Sequence, residues 1–223
     1  MGRSDLAIVI PCYNEQNTIG NVVRGCVDTG DVFVVDDAST DASKDIATRE
    51  GATVLDTGGR FGYERVIEFG LREAYRRGYR WVVTIDADGE HDPHLVQKFL
   101  STLRENPNLG LVAGIRERPQ RLAEWIVCGY CRWRFGLKDV LCGMKGYSRE
   151  LLDLYFASGH SNLVNTWPAL LWAARRYPFS QMEVTGKRRQ DHPRFSSRIR
   201  ANKIILKMLG PISKLDAPGG APA

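Results

Sequence analysis

Residues 81–93 read WVVTIDADGEHDP, and this stretch decides the fold class of the 223-residue chain. It begins as a run of branched and aromatic residues of strand length and ends abruptly in two acids, Asp86 and Asp88. Such a run is typical of a buried parallel strand whose carboxyl end borders a ligand crevice. Runs of the same kind lie on both sides of it, over residues 6–11, 32–37, 52–55 and 109–115.

Amphipathic stretches separate these runs, and their apolar spacing predicts helices. The alternation predicts an α/β fold with a mostly parallel central sheet flanked by helices. We expect one domain over residues 1–215, with a basic C-terminal segment at about 187–207, and a flexible tail at 216–223. The predicted helices cover residues 18–27, 42–50, 63–77, 93–106 and 122–135, the last within an amphipathic stretch of about 119–138.

The composition is that of an ordinary globular protein, with 43% hydrophobic and 26% charged residues. It excludes a disordered or low-complexity chain. The net charge of +5 is unevenly spread, because the segment from Trp172 to Lys214 holds 11 Lys and Arg against 2 Asp and Glu. A basic segment after an acidic body predicts an anionic partner for the C-terminal third.

The sequence predicts a soluble or peripheral protein of the cytoplasm. The longest uncharged stretch, residues 154–174, carries His, Asn and Ser side chains and is too polar to span a bilayer. We expect no secretory signal, because the first apolar run has only the length of a strand. The five cysteines lack the spacing of a zinc site, so we expect buried reduced thiols.

The acid pair Asp86 and Asp88 points to a bound cation. Two carboxylates so close at the end of a buried strand repel each other, which costs free energy unless a cation or a donor compensates. Carboxylates, water and substrate phosphates are the ligands that Mg²⁺ or Mn²⁺ takes. A solvated turn would explain an isolated pair, but acids also end the second run, at Asp36 and Asp37. We therefore expect a divalent cation beside a phosphate-bearing ligand.

The usual phosphate-binding glycine loops are missing from the sequence. It has neither GxxxxGK[ST] nor a GxGxxG after the first strand, which disfavours a P-loop enzyme and an ordinary dinucleotide fold. A nucleotidyltransferase is disfavoured as well, because it normally has a glycine-rich loop where this chain has Cys12 to Glu15. The phosphates would then be held by the cation, by Arg116 after the run at 109–115, and by the basic C-terminal segment.

Five motifs in order resemble the family 2 glycosyltransferases of the GT-A fold, and within them the dolichyl-phosphate mannose synthase and polyprenyl-phosphate glycosyltransferase branch. The resemblance extends from about Leu6 to Ile205. The motifs are IPCYNE at 10–15, VVDDASTD at 34–41, DADGEHDP at 86–93, GIR at 114–116 and DVLCGMKGY at 139–147.

The resemblance implies a nucleotide-sugar site at the carboxyl ends of the strands. Asp37 begins the turn after the second strand, and Ala87 lies near the ribose. The nucleotide base pocket comprises Pro11, Tyr13, Glu15, Val34 and Asp36.

The same resemblance implies the catalytic parts. Asp86 and Asp88 would bind the metal, with Glu90 close to it. Arg116 would contact the diphosphate, and Asp139 would orient the acceptor or act as a base. Arg194 and Arg198 would belong to a C-terminal loop that closes over the diphosphate, although Lys187, Arg188 and Arg189 are alternative cations there. Transfer would invert the configuration of the sugar.

The chain departs from the family pattern in two places. Where the family usually has NxGxGxA, this chain has Arg60, Glu64 and Val66 and keeps only Gly62. This segment normally lies beside the donor diphosphate, so the donor sugar stays open. The TSG of the acceptor motif is Leu141-Cys142-Gly143 here, so the acceptor class stays open too.

These observations favour a metal-dependent glycosyltransferase that uses a UDP- or GDP-linked sugar and a polyprenyl phosphate at an anionic membrane surface. The aromatic helix at 122–135 and the basic segment suit such a surface, alone or with a membrane-anchoring partner, but each also suits ordinary packing on the sheet. Two alternatives stay open: a soluble or glycan acceptor, and a catalytically silent nucleotide-sugar-binding subunit of a membrane complex. No nucleic-acid module appears, so nucleic acid is not expected.

Overall fold

Seven strands form the central sheet of the computed structural model, which describes residues 4–117, 121–159, 165–184 and 198–215. Their order across the sheet is β3-β2-β1-β4-β6-β5-β7, and β6 alone among them runs antiparallel to its neighbours. The predicted mostly parallel α/β architecture is confirmed. The strands are β1 (Leu6–Cys12), β2 (Asp31–Asp36), β3 (Thr53–Asp56), β4 (Trp81–Thr84), β5 (Leu111–Arg116), β6 (Lys145–Ser148) and β7 (Phe179–Val184).

Helices cover both faces of the sheet and give it two apolar layers. One layer contains buried side chains of α1, α2 and α4, and the other contains those of α3 and α5 to α7 together with the C-terminal α9. The helices are α1 (Ile19–Arg24), α2 (Ser43–Arg49), α3 (Tyr63–Arg76), α4 (Leu95–Glu105), α5 (Leu122–Phe135), α6 (Arg149–Ala157), α7 (Trp167–Ala174), α8 (Arg198–Lys207) and α9 (Leu209–Ser213).

The antiparallel strand β6 determines which residues reach the active edge of the sheet. Lys145, its first residue, pairs with Thr84, the last residue of β4. The loop that precedes β6 therefore arrives at the carboxyl end of β4, directly beside Asp86. The Thr84 hydroxyl holds this loop in position by donating a hydrogen bond to the carbonyl oxygen of Gly143 over 2.8 Å.

Several boundaries differ from the prediction. The strand predicted over 81–88 ends at Thr84, because the backbone leaves the ladder before the acids. Helix α1 is shorter than predicted, whereas α5 has the predicted bounds. All five cysteines are buried free thiols, as the spacing predicted. Within the described residues, no helix has the length and apolar character needed to cross a membrane.

Candidate active site

The turn after β1 and the turn after β2 are tied together at the carboxyl edge of the sheet. Asn14 adopts a left-handed conformation with φ 52°, and its side-chain oxygen accepts from the Thr40 backbone N–H over 2.8 Å. The Glu15 N–H donates to the Ser43 hydroxyl over 2.8 Å. These bonds fix the backbone around the predicted base pocket, and Glu15, Pro11 and Val34 are buried within it.

Asp36 has an unsatisfied oxygen at the end of β2. The residue is fully buried, and its Oδ2 accepts from the Ser39 N–H over 2.9 Å and lies 3.6 Å from the Lys44 ammonium. Its Oδ1 is buried without a hydrogen-bond partner among the described residues. Because buried polar atoms in folded proteins are nearly always paired, this oxygen indicates a donor supplied by a ligand, such as a base N–H.

Asp37 organises the segment that departs from the family pattern. Its carboxylate accepts from the backbone N–H groups of Phe61 over 2.6 Å and Gly62 over 3.0 Å. Gly62 has φ +85°, a conformation that favours glycine. The same carboxylate lies 3.4 Å from Arg60 Nε, and the Arg60 guanidinium stacks 3.3 Å from the centre of the Tyr13 ring. The altered segment is therefore part of the predicted base pocket.

Tyr63, in the first turn of α3, holds the first acid of the predicted metal pair. Its hydroxyl donates to Asp86 Oδ1 over 2.9 Å and accepts from the Asn165 amide over 3.3 Å. Glu64 accepts from the Asn165 backbone N–H over 3.1 Å. Burial of the hydroxyl and the adjacent charge of Asp86 raise the pKa of Tyr63 well above its usual value. The hydroxyl therefore stays protonated and acts as a donor to Asp86.

Asp86 and Asp88 offer oxygen ligands that suit a hard divalent cation. Asp86 is a quarter exposed, and Asp88 Oδ1 accepts from the Glu90 backbone N–H over 3.1 Å. Within the described part of the chain, no three His, Cys, Asp or Glu side chains gather as a metal site, and the place of Glu90 near the metal stays a prediction. Two carboxylates fit Mg²⁺ or Mn²⁺ nevertheless, because such an ion takes its remaining ligands from water and substrate phosphates.

The loop before β6 and a buried histidine pack against Asp86 and restrict its position. A Cβ at Gly143 would lie 1.9 Å from Asp86 Oδ2, so any larger residue there would displace the Asp86 carboxylate or the loop. His91 Nε2 lies 3.9 Å from the same oxygen and 4.0 Å from the Cys142 sulfur. The His91 ring is buried, and its Nδ1 is unpaired among the described residues. Ala87 is also buried beside the acid pair.

Arg116, which is partly buried at the end of β5, forms a bidentate ion pair with the buried Asp139. Arg116 Nε lies 2.8 Å from Asp139 Oδ2 and its Nη2 lies 3.0 Å from Oδ1, while Glu124 on α5 lies 3.3 Å from Nη2. Burial raises the pKa of Asp139, but the hydrogen bonds and charge of Arg116 outweigh it and hold the pKa below the ordinary value. Both groups are therefore charged at neutral pH, and Asp139 fixes the direction of the guanidinium.

Lys145 interacts electrostatically with both Asp139 and Asp86. It is fully buried, and its ammonium donates to the carbonyl oxygen of Cys142. Burial lowers the pKa of Lys145, while the charges of Asp139 and Asp86 both act to raise it. Burial raises the pKa of the Cys142 thiol to about 12, so this thiol stays protonated.

The structure brings most of the predicted site residues to one edge of the sheet. Arg194 lies outside the described residues, and Arg198 is placed only as the first residue of α8. Several residues of the site were not predicted, among them His91, Tyr63, Glu124 and Asn165. His91 stands inside the quoted 86–93 motif and could have been singled out, whereas nothing local in the sequence marks Tyr63, Glu124 or Asn165.

Comparison with known proteins identifies the family. Residues 7–156 match the family described as Glycosyl transferase family 2. The chain belongs to this family. The match covers the segments that contribute Asp36, Asp86, Arg116 and Asp139, so these residues all lie within the part that identifies the chain as a family 2 glycosyltransferase.

Two relatives of this family 2 glycosyltransferase have informative names. It is 32% identical over 165 residues to the undecaprenyl-phosphate mannosyltransferase of Micrococcus luteus, covering 65% of this chain and 66% of that one. It is 28% identical over 200 residues to the polyprenol monophosphomannose synthase of Mycolicibacterium smegmatis, covering 79% of this chain and 74% of that one. The chain thus spans just under two thirds of the Micrococcus protein.

A solved structure confirms the GT-A fold of this glycosyltransferase. Glucosyl-3-phosphoglycerate synthase from Mycobacterium tuberculosis, crystallised with Mn²⁺, UDP and glucosyl-3-phosphoglycerate, superposes with a TM-score of 0.72 at 20% identity. The superposition covers 95% of this chain and 79% of that one.

Proposed function

We propose that this family 2 glycosyltransferase moves a sugar from a nucleoside diphosphate sugar to a polyprenyl phosphate, with a divalent cation, at the cytoplasmic face of a membrane. The observation that carries the proposal is one edge of the sheet that holds both an acid pair, Asp86 and Asp88, and a partly buried cation, Arg116, whose direction Asp139 fixes. The acids suit a metal on the donor diphosphate, and the arginine suits phosphate oxygens.

The donor half of the site is built for a nucleotide. Asp36 offers a buried acceptor oxygen to a base N–H, and the Arg60 guanidinium stacks on the Tyr13 ring in the same predicted pocket. Asp86 and Asp88 would hold Mg²⁺ or Mn²⁺, which when bound neutralises charge on the diphosphate leaving group. Tyr63, Gly143 and His91 keep Asp86 in one orientation, which fixes the donor before the reaction begins.

The acceptor half of the site provides charge more than a base. A polyprenyl phosphate is already an anion near neutral pH, so its oxygen can attack the sugar without losing a proton to the protein. Both oxygens of Asp139 are bound to Arg116, and we infer that Asp139 positions this cation. Attack from the face opposite the diphosphate is a single displacement and inverts the sugar configuration. The two relatives' names support a polyprenyl phosphate as acceptor and make mannose the first sugar to test.

The test is transfer of radiolabel. The protein is incubated with labelled GDP-mannose, UDP-glucose and related donors, with Mn²⁺ and undecaprenyl phosphate, and the product is extracted into organic solvent. We expect organic-soluble label that disappears with EDTA and with Asp88→Asn. Asp45→Asn, which changes an exposed acid on α2, should keep full activity and serves as the matched control.

Two results would contradict the proposal and point to the alternatives. If label were transferred only to a water-soluble or glycan acceptor, that acceptor would replace the lipid in the proposal. The Leu141-Cys142 departure from the family's acceptor motif would then reflect the different acceptor. Tight nucleotide binding without transfer from any donor would instead indicate a catalytically silent subunit.

A further inference from the structure

Helix α5 has two apolar faces, and one of them is exposed. Its outer face presents Trp133 with 79% of its surface exposed, Leu122 with 72% and Trp125 with 59%. A helix that is apolar on all sides is normally buried on all sides. The side chains that follow one outer stripe, at helical spacings of three and four residues, are Leu122, Trp125, Ile126, Gly129 and Trp133.

Helix α8 packs against α5 and also exposes apolar side chains, Ile204 and Leu206, on the two sides of Ile205, which packs on the core. Arg134 on α5 donates to the carbonyl oxygen of Leu215 over 2.8 Å, which ties the end of the described chain to the same helix. We call the exposed side chains of the two helices the α5–α8 surface: Leu122, Trp125, Ile126, Trp133, Ile204 and Leu206.

The charges around the α5–α8 surface have one sign. The exposed charged side chains of α5, α8 and the turn after α9 are cations throughout the described residues. The single acid in these elements is Glu124, which is buried against Arg116. These exposed cations are Arg132, Lys203, Lys207 and Lys214.

We propose that the α5–α8 surface docks the protein on an anionic lipid bilayer. Tryptophans with aliphatic side chains on one face and Lys or Arg around the rim are the composition of helices that lie in the headgroup region. The absence of any exposed acid from these described elements gives the surface the charge that an anionic leaflet attracts. Neither the apolar face nor its cationic rim is used by the donor site.

The inner face of α5 connects this surface to the reaction. Glu124 lies 3.3 Å from Arg116, and the Cys128 thiol lies 3.7 Å from Asp139 Oδ1. One helix therefore touches the bilayer on one side and the Arg116–Asp139 pair on the other. Only the following step rests on the proposed function: a polyprenyl phosphate in the docked leaflet would contact Arg116, which α5 supports through Glu124.

Docking is tested without donor or acceptor. The protein is sedimented with vesicles of phosphatidylcholine alone and of phosphatidylcholine with phosphatidylglycerol. We expect binding to the anionic vesicles and a blue shift of tryptophan emission. The double variant Trp125→Ser/Trp133→Ser should lower the partition coefficient roughly tenfold or more, because each substitution removes apolar surface that the tryptophan would bury in the bilayer. Phe69→Ser, which removes an exposed aromatic on α3, should leave binding unchanged.

The cationic rim is tested with Lys203→Glu/Lys207→Glu. Each cation near an anionic surface is worth about 1 kcal/mol, so we expect a loss of at least roughly tenfold on anionic vesicles. Binding to neutral vesicles should change little. Equal binding of the wild type and both double variants to anionic vesicles would overturn the proposal. So would a dimer in light scattering that Trp133→Ser makes monomeric, with no vesicle binding, because a second copy would then cover the surface.

A separate activity measurement distinguishes failed docking from a failed function. Trp125→Ser/Trp133→Ser should keep wild-type turnover on a short-chain, water-soluble polyprenyl phosphate and lose turnover on the long-chain acceptor in vesicles. Vesicle binding by an enzyme that makes no lipid product would support docking and contradict the proposed acceptor. Equal loss on both acceptors would contradict the role given to the surface.

Discussion

The Tyr63 hydroxyl donates a hydrogen bond to Asp86 Oδ1 over 2.9 Å, so a side chain of α3 orients the first acid of the metal pair. Tyr63 stands in the segment that departs most from the family pattern, next to Glu64. Asn165 bonds to both residues and joins them into one network. The departure therefore replaces a glycine-rich loop with a fixed polar support for Asp86.

Tyr63→Phe should weaken binding of Mn²⁺ about tenfold, because loss of a side chain that orients a metal ligand typically costs 10–100-fold in affinity or activity. The measurement is the Mn²⁺ dependence of sugar transfer, together with direct Mn²⁺ titration in the presence of nucleoside diphosphate. Tyr75→Phe is the matched control, since the Tyr75 hydroxyl bonds to Asp153 on the surface. An unchanged Mn²⁺ affinity in Tyr63→Phe would show that Asp86 needs no such support.

Gly143→Ala should lower activity roughly 100-fold, because the added Cβ displaces a group that must be placed within about 1 Å. That Cβ would lie 1.9 Å from Asp86 Oδ2. The measurement is kcat/KM at saturating Mn²⁺. Gly129→Ala, an exposed position on α5 where a Cβ meets nothing within 4 Å, should keep its activity on a soluble acceptor. Full activity of Gly143→Ala would mean that the loop before β6 can move away from Asp86.

Strands β1, β2, β4 and β5 were predictable because each is almost wholly buried and consists largely of consecutive apolar residues. Strand β6 was not, since its sequence is KGYS and its buried lysine gives no apolar signal. Strand β7 was missed for a related reason, as it is only partly buried and carries Ser, Gln and Glu. Strands β6 and β7 are placed in the sheet by pairing with β4 and β5, and these pairs join residues that lie far apart in the sequence.

The site was predictable only where its residues follow strands directly. Asp36, Asp86 and Arg116 belong to that group. The partners that determine how these side chains act come from elsewhere: Glu124 lies within a helix whose sequence also fits ordinary packing, and Asn165 lies two residues before α7. Tertiary packing brings these partners to the site, so a local sequence pattern does not indicate them.

Asp139→Ala should destabilise the fold by about 3 kcal/mol at neutral pH, because the partly buried Arg116 loses its bidentate partner and keeps only Glu124, 3.3 Å from Nη2, as an acidic neighbour among the described residues. The pKa of Asp139 is lowered in the folded state. Its stabilisation is therefore fully present above the unfolded pKa of about 3.9 and is lost as the pH falls through the folded value. Urea unfolding across this range should show a gap between wild type and variant that narrows only in acid.

The control for this pH dependence is an exposed pair. Glu50→Ala removes the surface partner of Arg24, and its effect on stability should be small because solvent screens such a pair. A gap for Asp139→Ala that is as small as the one for Glu50→Ala would mean that Asp139 does not stabilise Arg116. A gap that instead widens in acid would contradict the direction of the Asp139 pKa.

Asp36→Asn should separate stability from binding. The carboxylate is fully buried with Oδ1 unpaired among the described residues, so neutralising it should leave the unliganded protein as stable as the wild type or more so. An amide can place its NH₂ group where the carboxylate offered an acceptor oxygen to a base N–H. The rise in Tm that UDP or GDP causes should therefore be smaller in the variant. Asp31→Asn, at the opposite end of β2, is the matched control and should keep the full nucleotide-induced rise. If Asp36→Asn also kept that rise, the unpaired oxygen would have another purpose than recognising the base.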